Sequence, residues 1–69
     1  MTNAAFATFQ VIKTFPHIEA IVDVESTKGW LGACRVYAPR HGDIQNVAYN
    51  EADRRAVAHG LTLQSLRAA

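Results

Sequence analysis

Apolar and polar residues alternate most clearly from Ile18 to Tyr37, where IEAIVDVES and WLGACRVY are joined by Thr27-Lys28-Gly29. Isoleucine and valine supply the bulk of the first run and favour a pleated surface, so the stretch predicts a β-hairpin. A three-residue loop with Gly29 in the left-handed position forms the bulge. Ser26 then lies opposite Trp30, Val24 opposite Gly32, Val22 opposite Cys34 and Ala20 opposite Val36. That face is apolar throughout. The other carries Glu19, Ile21, Asp23 and Glu25 against Leu31, Ala33, Arg35 and Tyr37, with Glu19 and Asp23 as diagonal neighbours of Arg35. The competing reading is a helix from Pro16 to about Ser26, with Ile18, Ile21, Val22 and Glu25 in its period.

Around the hairpin the pattern is weaker. Residues 1–5 read as a loose end. Phe6 to Phe15 reads as a first strand, with Phe9, Val11, Lys13 and Phe15 on one face, and Pro16-His17 turns the chain into the hairpin. Ala38 to Asp43 is a loop by composition, and residues 44–49 alternate loosely enough to suggest a short strand. Asn50 is a good helix N-cap, followed by Glu51 and Asp53, which predicts a helix over residues 51–59 that stops at Gly60. Its inner face is Ala52, Ala56 and Val57. Residues 61–69 form either a second short helix capped by Thr62 or a final strand; the i, i+3 spacing of Leu63 and Leu66 favours the helix.

The expected fold is therefore α+β. A small antiparallel sheet of three to four strands carries one packed helix and a short C-terminal helical element, in one domain over residues 1–69.

Composition narrows the function classes. The 69 residues include twelve alanines, so the chain's own core is thin and self-association is an accessible gain; a homodimer is expected. A formal charge of +1 gives no field that implies nucleic acid or an acidic membrane. One cysteine excludes an internal disulfide and fits a reducing, cytoplasmic compartment. The N-terminal residues lack the basic region and unbroken apolar core of a signal peptide. No apolar run approaches the roughly 20 residues of a membrane span.

Chemistry-bearing residues are few. Cys34 falls on the apolar face, where burial makes a thiol inert. His17, His41 and His59 show no metal-ligand spacing. The Arg40-His41-Gly42-Asp43 loop has the makings of a phosphate cradle but lacks nucleotide-binding spacing. No catalytic residue, metal or cofactor is expected. Trp30, Tyr37 and Arg35 are the residue types that concentrate binding energy at protein interfaces. With Ile21 and Leu31 they form the candidate interface.

These features predict a non-catalytic binding protein, a modulator or inhibitor that acts through protein–protein contact. The strand–strand–strand–helix order resembles that of small bacterial and phage modules, among them antitoxin-like domains, integrase arm-binding domains and anti-CRISPR proteins. That resemblance is architectural, and implies an accessory protein of a phage or mobile element. The alternative is a nucleic-acid-binding transcriptional regulator. In DRRAVAHGLTLQSLRAA, Ala56, Gly60 and Leu66 have helix-turn-helix spacing. Thr62, Gln64 and Arg67 would then face base edges, with Arg54 and Arg55 near phosphate. On a lone helix, Arg54 and Arg55 instead form an ion-pair face with Glu51.

Overall fold

The computed structural model describes residues 3–69 as four strands and one helix: β1 (Ala4–Lys13), β2 (Ile18–Ser26), β3 (Gly29–Ala38), α1 (Ile44–Ala58) and β4 (Thr62–Ala68). The sheet order is β3-β2-β1-β4. β1, β2 and β3 form an antiparallel meander, and β4 joins the other side of β1 in parallel. The α+β class is as the sequence predicts, but the sheet is mixed rather than antiparallel. A 15-residue helix is about 22 Å long, ample to cross four strands spaced about 4.8 Å apart. The chain can thus leave β3 at one edge and return at the other.

Residues 18–26 are a strand, so the helical reading of that segment is set aside. The hairpin register is largely as expected: Ala20 pairs with Val36, Ile21 with Arg35, Val22 with Cys34 and Val24 with Gly32. The turn end differs. Ser26 pairs with Gly29 and Glu25 with Trp30, leaving Leu31 as the extra residue of a bulge. The connection is held by the Ser26 hydroxyl, which accepts from Lys28 N at 3.1 Å and donates to Gly29 O at 3.2 Å.

Arg55 on α1 packs against the bulge. Its Nη1 donates to the Leu31 carbonyl at 3.5 Å, and a Cβ on Gly32 would come within 2.8 Å of that nitrogen. Gly32 also has φ +126°, where side chains are rarely found. Only glycine lets the guanidinium sit against the strand. Arg55 therefore leaves the expected ion-pair face, and Arg54 alone approaches Glu51, at 3.9 Å.

The helix begins earlier than predicted. Asp43, not Asn50, is the N-cap: its side chain accepts from Asn46 N at 3.2 Å, and residues 44–49 are helix instead of strand. Read from Asp43, the residues Ile44, Val47, Ala48, Ala52 and Ala56 follow the helical period. Ala48, Ala52 and Ala56 are fully buried, whereas Val57, expected inside, is 64% exposed. The C-terminus closes as expected at Gly60. Gly60 N donates to Val57 O at 2.9 Å and Leu61 N to Ala56 O at 2.8 Å, the paired bonds of a glycine-terminated helix.

The C-terminal segment is a strand, which corrects the expectation of a second helix. Thr62 N donates to Asn3 O at 2.7 Å and Ala69 N to Phe9 O at 2.8 Å, tying both ends of β4 to β1. Leu63 pairs with Ala5 and Leu66 with Ala7, while Gln64 is an extra residue between Leu63 and Ser65. This bulge resets the alternation, so leucines three apart both pack towards the core.

The N-terminal expectation is corrected as well. Ala4 and Ala5 begin β1 and are buried, while Met1 and Thr2 lie outside the described residues. The core lies between α1 and one sheet face and consists mainly of Ala5, Ala7, Phe9, Ala20, Val22, Val24, Val36, Leu63 and the three helix alanines. Among the described residues, no helix is long and apolar enough to cross a membrane.

Candidate interaction surface

Among the described residues, alternation along the strands leaves the second face of the sheet without a covering layer. β1 contributes Phe6, Thr8 and Gln10 to it, because Ala5, Ala7 and Phe9 point under the helix. β2 contributes Ile21, Asp23 and Glu25, the positions between buried Ala20, Val22 and Val24. β3 adds Ala33, Arg35 and Tyr37, and β4 adds Arg67, whose register partner is Thr8.

The Leu31 bulge changes two members of the expected interface. Trp30 was placed on the apolar face and Leu31 on the other; the structure exchanges them. Trp30 lies on the open face, where its indole Nε1 donates to the Asp23 carboxylate. Leu31 is half-buried and packs against the core. Four of the five expected residues, Ile21, Trp30, Arg35 and Tyr37, therefore share one surface. Phe6 is a fifth member that the sequence reading overlooked, since it was assigned only to the first strand. Its signal was its place between two buried alanines.

Arg35 pairs in register with Ile21, but the carboxylates on either side of Ile21 are engaged elsewhere. Glu19 Oε1 lies 2.8 Å from His17 Nε2, and Asp23 is held by Trp30. Among the described residues, neither Arg35 nor Arg67 has a carboxylate within ion-pair distance. At the strand ends, His17 packs at 5.7 Å from the Tyr37 ring, and the Arg40 guanidinium lies 5.0 Å above Phe15.

Across the β1, β2 and β4 side, the open face sinks into a hollow of about 530 Å³ lined by Phe6, Thr8, Asp23, Glu25, Gln64 and Arg67. On the β3 side Trp30 is 67% and Tyr37 54% exposed.

The helix-turn-helix geometry is not formed. Thr62, Gln64 and Arg67 belong to a strand, so no second helix presents them to a groove. Arg67 lies on the open face, Arg54 is solvent-exposed beside Glu51, and Arg55 is tucked against Leu31. The five residues do not converge. The loop at residues 40–43 has structural work: Gly42 N donates to Pro39 O at 2.7 Å, and Asp43 caps the helix. Cys34 is half-buried against the core. Among the described residues, no three metal-binding side chains come together.

No known family model matches the chain, and no curated protein or solved structure is significantly similar to it. The surface must be read from its own chemistry.

Proposed function

We propose that this chain is a non-catalytic binding protein, a modulator or inhibitor that covers a surface on another protein with its open sheet face. One observation carries the reading. Five of the six aromatic residues are exposed, and only Phe9 is buried in a core otherwise made of alanine, valine and one leucine. Aromatic side chains carry the largest burial energies available to a protein, and here they are spent outside the fold. Phe6, Trp30 and Tyr37 share the open face with Ile21 and Arg35, which matches the anchor chemistry of protein interfaces. Asp23 and Glu25 balance Arg35 and Arg67 there, so the face carries no excess positive charge to attract a nucleic-acid backbone.

The test is capture from a lysate of the cells in which the chain is expressed, using tagged wild type and a Trp30→Ala/Tyr37→Ala variant of matched circular dichroism. The expected result is one protein retained at 1:1 by the wild type and lost by the variant. Equal capture by both would move the working surface elsewhere. Salt-sensitive retention of nucleic acid alone would overturn the reading.

A further inference from the structure

We infer that, in the free protein, the open face is covered by a second copy of the chain in a two-fold, face-to-face pair. The inference rests on the reading of this face as the binding surface, and makes self-association and target binding mutually exclusive.

Shape and charge both point to a self-complementary surface. The β3 side exposes Trp30 and Tyr37, and the hollow lies on the β1, β2 and β4 side. Among the described residues Arg35, on the β3 side, has no ionic partner, while Asp23 and Glu25 line the hollow. A two-fold axis lying in the interface can exchange any two points of a face. Placing the β3 side of one copy over the hollow of the other therefore makes the same contact twice. Each Arg35 then meets the other copy's Asp23 and Glu25, and Phe6 and Ile21 are withdrawn from water. A stable interface takes about 800 Å² from each partner, under one fifth of the 4616 Å² this chain exposes.

Charge reversal tests the pairing directly. Arg35→Glu puts a carboxylate against Asp23 and Glu25 at both contacts, and Asp23→Lys/Glu25→Lys puts two ammonium groups against Arg35. Each variant alone is expected to weaken the pair at least about tenfold, since opposed like charges are strongly unfavourable at interfaces. Mixed at equal concentration, the two variants restore opposite charges at both contacts, so a heterodimer of near wild-type affinity should form. Sedimentation equilibrium reads all three states, and circular dichroism confirms that each variant is folded. A wild type that stays monomeric at about 100 μM overturns the inference while leaving target capture intact. A dimer indifferent to both reversals, or a mixture that fails to reassociate, overturns it too. Absence of 1:1 target capture by the wild type, with dimerisation intact, would instead remove the functional reading.

Discussion

The two faces of one sheet invert the usual allocation of bulk. Under α1 the strands present Ala5, Ala7, Phe9, Ala20, Val22, Val24 and Val36, and the helix answers with Ala48, Ala52 and Ala56. On the other side the same strands present Phe6, Ile21, Trp30 and Tyr37. Small residues let the helix lie close to the sheet, but each contributes little burial, at about 25 cal/mol per Å². The covered face fixes the fold with modest material. The open face holds the bulk that a partner would bury.

The sharpest way to break this comparison uses two phenylalanines on one strand. Phe9 is the largest side chain of the covered face, and Phe6 lies on the open one. Phe9→Ala should cost about 3 kcal/mol or more, comparable with the whole stability of a chain this size at about 0.05–0.15 kcal/mol per residue. Phe6→Ala should cost less, about 1–2 kcal/mol in dilute solution, because 38% of that residue already meets water. Urea titration followed by circular dichroism measures both. Equal costs would show that the open face belongs to the core.

Ala52→Leu probes the same contrast by adding bulk. Its site is fully buried at the helix–sheet contact, and overpacking there should cost about 2 kcal/mol. Val57→Leu, on the outward side of the same helix, should shift stability by less than about 0.5 kcal/mol. Thermal melts of the two variants separate them, and similar melting points would mean that the helix does not lie close. Gly60→Ala is expected to cost about 1 kcal/mol, because φ +73° is strained for any residue with a Cβ.

How much of this was legible in the sequence depended on whether alternation ran unbroken. From Ala20 to Val24 it does, and the register of that stretch could be written down in advance. Bulges defeat such counting. The extra residue at Leu31 sends Trp30 to the open face and Leu31 inward, the reverse of a strict two-residue period. The extra residue at Gln64 gives two inward leucines a helical spacing, so β4 reads as helix and invites a DNA-binding motif. The first bulge is marked by Gly32, at φ +126°, and touches Arg55 more than twenty residues later; the second shows only in the pairing with β1. The open face was therefore foreseen as a surface, with one of its aromatics on the wrong side and another overlooked.

The helix start is the smallest of these contrasts, and it can be decided by two alanine substitutions. Asp43 and Asn50 are seven residues apart, about two helical turns, so a helix begun at either one buries Ala52 and Ala56. That coincidence let the inner face be read well from the wrong cap. With Asp43 as the cap, Asp43→Ala removes the acceptor for Asn46 N and should cost about 1 kcal/mol. Asn50 is then an exposed position inside the helix, where alanine is the better helix former, and Asn50→Ala should gain up to about 0.5 kcal/mol. Opposite signs in parallel urea titrations would establish the longer helix. A loss at Asn50 with none at Asp43 would leave Ile44 and Val47 outside it, and would shorten the element that covers the first face of the sheet.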